Sequence, residues 1–364
     1  MTKTLINLCG PTAVGKTTVA LYWAEKLGCP ILSTDSRQCY RELAVGSAPP
    51  SSEELDRVPH YFIADRSIHE PITAGEYEKF ALATLEELFK THDVVVAVGG
   101  SGMYIDALLH GLDPLPTDAD VKAKLEERAT VEGLAALKTE LYHLDPEHSA
   151  KVDVRNPRRV IRALEVIEIT GKKYSEQLNN TPKERPFKIV NWVLNLEREA
   201  LYERINSRVH VMISAGLEEE ARGLKEHQGL VSLQTVGYRE WWPYFNDEYD
   251  IDRTVALIQQ YSRRYAKRQL TYFKRFEGAI WLDPNDINGQ EESLRKAGIM
   301  YSCTSTSSPF RNLSPVLSIC WGKKSTRLFV PKERCMPPIP PYALVIFRRE
   351  ELEKRQLRCG LRSN

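Results

Sequence analysis

The chain has 364 residues, 42% of them apolar and 27% charged, the proportions of a soluble globular protein with room for one large α/β domain plus a smaller inserted or appended portion. A formal charge of +1 excludes a globally basic chain, so any nucleic-acid surface must be a local patch. No apolar run is long enough to span a bilayer, the apolar start is too short for a signal peptide, and seven irregularly spaced Cys argue against a disulfide framework, so a reducing, cytoplasmic setting is expected.

Residues 4–9 read as a short buried strand, followed at once by Gly10-Pro11-Thr12-Ala13-Val14-Gly15-Lys16-Thr17 and a helical pattern through Leu27. Pro30–Ser33 is expected as a second strand, Ala74–Thr91 as an amphipathic helix and Asp93–Gly99 as a third, strongly β-branched strand. Strand alternating with helix predicts a doubly wound parallel sheet of the P-loop NTPase-like α/β class, with the first loop at its carboxyl edge. From about Leu112 the character changes. Asp113–Ala150 is helical and highly charged, and Asn156–Thr170 is a helix ended by Gly171. Strand chemistry returns over Phe187–Leu196, then helical patterns over Glu199–Lys225 and Asp252–Arg275, then a short strand at Ala279–Leu282. The expected organisation is a P-loop core over 1–112, a large helical insertion over 113–185 and a core strand within 186–198. A helical stretch follows over 199–260, then a core helix with the last strand over 261–283. The Ser-, Thr- and Pro-rich residues 284–364 are expected to form a tail of low order.

Three motifs sit at carboxyl ends of predicted strands and so face one crevice. In Gly10-x-x-x-x-Gly15-Lys16-Thr17 the glycines let backbone N–H groups converge on an anion at a helix N-terminus. Lys16 supplies charge there and the Thr17 hydroxyl a ligand for Mg²⁺, so a phosphate compound is expected without being identified. Ser33-Thr34-Asp35-Ser36-Arg37-Gln38 follows the second strand. Asp35 there suits a general base or a metal-side carboxylate, and equally a turn-capping Asp. Gly99-Gly100-Ser101-Gly102 follows the third strand, where glycines permit close approach of a ligand and Ser101 offers a hydroxyl.

Two basic clusters lie further on. Arg155, Arg158, Arg159 and Arg162 fall near one helical face. Arg263, Arg264, Lys267, Arg268, Lys274 and Arg275 occur without an acidic neighbour and interleave with Tyr261, Tyr265, Tyr272 and Phe273, a mixture suited to a nucleic-acid backbone and splayed bases.

Together the motifs resemble the tRNA dimethylallyltransferase (isopentenyltransferase) family of bacterial type. To those above are added Asn156-Pro-Arg-Arg-Val-Ile-Arg-Ala-Leu-Glu-Val166, Gln234-Thr-Val-Gly-Tyr-Arg-Glu240 and Lys267-Arg-Gln-Leu-Thr-Tyr-Phe273, all in the family's order over roughly residues 4–283. The resemblance implies that Gly10–Thr17 holds the diphosphate of dimethylallyl diphosphate with Mg²⁺. The N6 amine of an adenosine next to the anticodon then attacks the prenyl C1. Asp35 is implied as the base, with Lys16, Thr17 and Arg208 stabilising the leaving diphosphate. Contacts to tRNA are implied for Asp35, Ser36, Arg37, Gln38, Ser101, Lys122, Arg158, Arg159, Arg162, Gln234, Gly237, Tyr238, Arg239, Lys267, Arg268 and Gln269. Residues 199–260 would face the tRNA, and the enzyme is expected to work as a monomer. Ser101 stands where the family usually has Thr. Eukaryotic relatives carry a C-terminal Cys2His2 finger, but here no His follows His227, and Cys303, Cys320, Cys335 and Cys359 are too widely spaced to replace it. A P-loop kinase using ATP on a small molecule is the alternative. The basic aromatic helix and the long helical insertion speak against it.

Overall fold

The computed structural model describes residues 2–299 except 180. Among them six strands form one sheet: β1 (Thr4–Cys9), β2 (Ile31–Ser33), β3 (His60–Tyr61), β4 (Val94–Gly99), β5 (Lys188–Leu194) and β6 (Ile280–Leu282). The order is β3-β2-β4-β1-β5-β6 and every pairing is parallel. β1 is central and wholly buried, and its run is mostly apolar, interrupted only by the buried polar Thr4 and Asn7. Its alternate residues serve two cores. Leu5 and Cys9 pack with Val95, Ala97 and Val193 on one face, and Ile6 and Leu8 with Ile31, Val96 and Trp192 on the other. Each fully buried Leu or Ile contributes about 1.5–3 kcal/mol there.

Helices cover both faces. α1 (Lys16–Leu27) starts at Gly15 and stops at Gly28, both left-handed. α2 (Ser52–Arg57) and α3 (Ala74–Thr91) each open on a capping box, Ser51 with Glu54 and Thr73 with Glu76. α4 (Gly102–His110) leads into four helices that stand apart: α5 (Ala119–Val131), α6 (Leu134–Leu144), α7 (Pro146–Lys151) and α8 (Pro157–Thr170). These have a core of their own, built on Leu125, Leu137, Leu141, Val160 and Leu164. The stretch 113–150, expected to be helical, forms three helices divided at Gly133 (φ 84°) and at Asp145-Pro146, where the Asp145 carboxylate caps α7 through the His148 N–H at 2.9 Å. Both ends of the insertion are tied to Glu78 of α3, which accepts from the Leu112 N–H at 3.2 Å and from Arg185 at 2.8 Å.

After β5 come α9 (Arg198–Ser214), α10 (Leu217–Gly223), the short α11 (Trp241–Tyr244) and the long α12 (Ile251–Phe273). The single helix predicted over 199–225 is split by left-handed Gly216 (φ 96°). A larger correction concerns residues beyond 284, predicted to lack order. α13 (Ile287–Lys296) forms there and docks on α1 and β5, with Trp23 Nε1 donating to Gln290 Oε1 at 2.6 Å and Trp192 Nε1 to Ser293 Oγ at 2.8 Å. Those two partners are polar, so the segment carries little apolar signal. The remainder of the expected tail, with its four cysteines, lies outside the described residues. Cys9, Cys29 and Cys39 are buried and unpaired. Among the described residues no helix is long and apolar enough to cross a membrane.

Candidate active site

The carboxyl ends of β1, β2 and β4 open on a cleft of about 580 Å³. The strand that precedes each loop delivers it there, as the parallel topology requires. Thr12 and Ala13 of the P-loop line the cleft, together with Asp35, Ser36, Arg37 and Ser101. Gly10, Pro11 and Val14 are buried, so they act only through the backbone. Val14 packs in the core beside α1. Gly15 takes φ 106°, which only glycine adopts without strain, and this turns the chain from the loop into α1. No hydrogen bond within the described residues engages the N–H groups of Ala13, Gly15, Lys16 and Thr17. They stand at a helix N-terminus, the arrangement that binds anions.

Lys16 folds back over this loop, donating from Nζ to the Pro11 carbonyl at 2.9 Å. Burial pushes its ammonium down to about 8, against the attraction of Asp35 and with the repulsion of Arg208. Arg208, on α9, is likewise lowered by burial and drawn back up by Asp35. A carboxylate thus sits within electrostatic reach of two desolvated cations. Asp35 is half turn and half site. Its Oδ1 accepts from the N–H groups of Arg37 at 2.8 Å and Gln38 at 3.3 Å, which shapes the turn after β2, and among the described residues no hydrogen bond engages Oδ2. Tyr265 of α12 faces the same carboxylate. Burial, and then Asp35, raise its phenol, which stays protonated.

Ser101 links the loops after β2 and β4, accepting from the Ser36 N–H at 2.8 Å and donating to Ser36 Oγ at 2.9 Å. The glycines around it are there for a different reason from the one their sequence suggested. A Cβ at Gly99 would lie 2.3 Å from Thr34, at Gly100 2.4 Å from Gln269 and at Gly102 2.5 Å from the Tyr272 ring. Each of these close approaches is made by protein, while Ser101 and Gly102 also line the cleft.

The other predicted contacts divide. Arg158, Arg208, Gln234, Gly237, Tyr238, Arg239 and Arg268 line the cleft. Arg239 lies over the Tyr261 ring at 4.8 Å and Arg268 over Tyr265 at 5.7 Å, so arginines and aromatics form stacked layers. Lys267 is exposed on α12 and Arg159 on α8, and Lys122 lies on α5 near Glu126, all outside the cleft lining. Four side chains are turned inward instead. Gln38 donates to the Ala48 carbonyl at 3.0 Å. Arg162 is held by the Pro116 carbonyl and the Glu165 carboxylate, both at 2.8 Å. Tyr238, though it borders the cleft, is 1% exposed and donates to Glu220 at 2.7 Å. Gln269 is 6% exposed and braces two loops. Tyr272 and Phe273 also leave the expected surface: Tyr272 donates to Asp106 at 2.8 Å and Phe273 is fully buried.

Two supporting residues escaped sequence reasoning. Arg204 donates to the Val14 carbonyl at 3.0 Å. Its signal was its place one helical turn before Arg208. Glu220 accepts from the N–H groups of Val45 at 2.7 Å and Gly46 at 2.9 Å and so fixes the loop that borders the cleft. It lies in the run Glu218–Glu220, which reads as a solvated face.

Comparison with known proteins agrees with this geometry. The family model described as IPP transferase matches residues 38–276. The curated tRNA dimethylallyltransferase 1 of Bacteroides fragilis is 46% identical over 78% of this chain and 94% of that protein. The crystal structure of full-length tRNA isopentenylpyrophosphate transferase from Bacillus halodurans aligns with a TM-score of 0.59 at 33% identity, covering 82% of this chain and 96% of that one. A eukaryotic dimethylallyltransferase acting on tRNA aligns with a TM-score of 0.67, covering 82% of this chain and 78% of that one, and at 22% identity it supports the fold alone. With the family model spanning well over half of the chain, and such a relative matched along nearly its whole length, the chain belongs to the tRNA dimethylallyltransferase family and is a prenyltransferase.

Proposed function

We propose that the enzyme transfers the dimethylallyl group of dimethylallyl diphosphate to N6 of an adenosine next to the anticodon in tRNA. The observation that carries this reading is the Asp35 carboxylate, set among Lys16, Arg208 and the P-loop in a cleft that exposed arginines also line. The N6 amine forms a bond to C1 of the prenyl group as the C1–O bond breaks and diphosphate departs. Asp35 Oδ2 takes the proton from the cationic amine. The open N–H groups of Ala13, Gly15, Lys16 and Thr17, with the Lys16 and Arg208 side chains, hold the charge that develops on the diphosphate. The Thr17 hydroxyl, a hard oxygen in the first turn of α1 with no hydrogen-bond partner among the described residues, fits Mg²⁺, the rest of whose shell would be diphosphate oxygens and water. Mg²⁺ bound there adds positive charge beside the leaving group. Arg158, Arg239, Arg268 and the exposed Lys267 and Arg159 hold the tRNA backbone, while the target base leaves its stack to enter the cleft. We place this activity in the cytoplasm, in a monomer, a setting with which buried, unpaired cysteines agree.

The test is incubation of purified protein with Mg²⁺, tRNA and either radiolabelled dimethylallyl diphosphate or ATP labelled at the γ-phosphate. Prenyl label entering tRNA supports the assignment. Turnover of ATP without prenyl transfer replaces it with the kinase reading, which these relatives do not favour.

A further inference from the structure

Gln269 belongs to the basic stretch of α12, yet it is buried and uses both ends of its carboxamide within the protein. Oε1 accepts from the Thr12 N–H at 2.9 Å, and Nε2 donates to the Gly100 carbonyl at 2.9 Å. The two partners are of opposite polarity, so the amide has one orientation: a flip would set oxygen against oxygen and N–H against N–H. The peptide bond between Pro11 and Thr12 is planar and trans, so fixing the direction of the Thr12 N–H also fixes the Pro11 carbonyl on the opposite side. That carbonyl receives the Lys16 ammonium at 2.9 Å.

We propose that Gln269 is a positioning residue that sets Lys16 for the diphosphate by holding the Pro11–Thr12 peptide plane, and not a contact to tRNA. α12 thereby grips the diphosphate loop with one residue while the neighbouring Arg268 lines the cleft. The same contact explains Gly100: a Cβ there would meet Gln269 Nε2 at 2.4 Å, whereas the next atoms lie 3.6 Å away. The inference rests on the prenyl-transfer reading.

The experiment measures kcat, the KM for dimethylallyl diphosphate and tRNA affinity by gel shift for the full chain and for Gln269→Ala, Gln269→Glu, Gly100→Ala and the double variant Gly100→Ala/Gln269→Ala. Gln269→Ala should raise the donor KM about tenfold or more, with tRNA affinity within about twofold of the parent, since both hydrogen bonds to the backbone, and the alignment they give, are lost. Gln269→Glu keeps the acceptor for Thr12 but opposes the Gly100 carbonyl with a charged oxygen, and should raise the donor KM further. Gly100→Ala should mimic Gln269→Ala and add almost nothing on top of it, because the shorter side chain clears the space. Weakened tRNA binding with an unchanged donor KM, or full additivity of the two substitutions, would overturn the proposal. A parent enzyme with no prenyl transfer would instead remove the functional reading beneath it.

Discussion

Two glycine-rich loops face each other across the carboxyl edge of the sheet, one after β1 and one after β4, and in sequence they look alike. Their glycines do different work. In the first, Gly15 supplies a left-handed turn at the start of α1, where four N–H groups have no hydrogen-bond partner among the described residues. In the second, Gly99, Gly100 and Gly102 leave room for Thr34, Gln269 and Tyr272, so the loop is a packing joint that presents Ser101 to its neighbour. A missing side chain shows that something comes close. Whether that is a ligand or the protein itself depends on partners far away in the chain.

The largest effects separate the chemistry of the first loop from the packing of the second. Asp35→Ala should lower kcat by about 10²–10⁴-fold, the usual contribution of a positioned base, with tRNA affinity by gel shift unchanged. Unchanged turnover would leave Asp35 as a turn residue only. Lys16→Ala should cost about 10²–10³-fold in kcat/KM for the donor and leave stability close to that of the parent, as loss of one charge-stabilising donor does.

The loops themselves are compared by Gly15→Ala and Gly102→Ala. The first strains the backbone by about 1–2 kcal/mol and should raise the donor KM more than tenfold. The second drives a Cβ into the Tyr272 ring and should lower unfolding free energy in urea by about 1–3 kcal/mol, with a smaller change in donor KM. Equal functional losses with equal stability losses would erase the distinction.

A smaller effect concerns pH. Lys16 is lowered by burial to about 8, so in the free enzyme its ammonium is present below that pH and lost above it. If donor capture needs the charge, kcat/KM for the donor should be flat up to about pH 8 and then fall roughly tenfold per unit. A profile flat to about pH 10 would show either that Lys16 keeps its charge over that range or that other groups carry the diphosphate. The smallest effect is expected at the outer part of the cleft. Arg268→Ala should weaken tRNA binding by a few-fold and reduce the dependence on log salt by about one.

Much of the core was legible because parallel strands buried on both faces leave runs that are mostly apolar, as in Thr4–Cys9 and Val94–Gly99, and because Gly15 and Gly171 punctuate the helices. The splitting of the 199–225 helix hung on Gly216, a residue helices also tolerate. α13 stayed hidden because polar groups, Gln290 and Ser293, dock it on two tryptophans. At the site, the P-loop and Asp35 could be read from local chemistry. Gln269, Arg162 and Tyr238 could not, since a polar residue in a basic or motif-bearing stretch looks the same whether it points to water or to a buried partner such as Thr12, Glu165 or Glu220.

At the centre of the proposed reaction, the first loop holds a prenyl diphosphate while Asp35 accepts the proton from an adenine amine. Mass spectrometry of nuclease-digested tRNA, after incubation with dimethylallyl diphosphate and either the parent enzyme or Asp35→Ala, tests it most directly. The expected result is the mass of one dimethylallyl group on an adenosine next to the anticodon with the parent and almost none with the variant. Unmodified tRNA from the parent, or equal modification by both proteins, would contradict it.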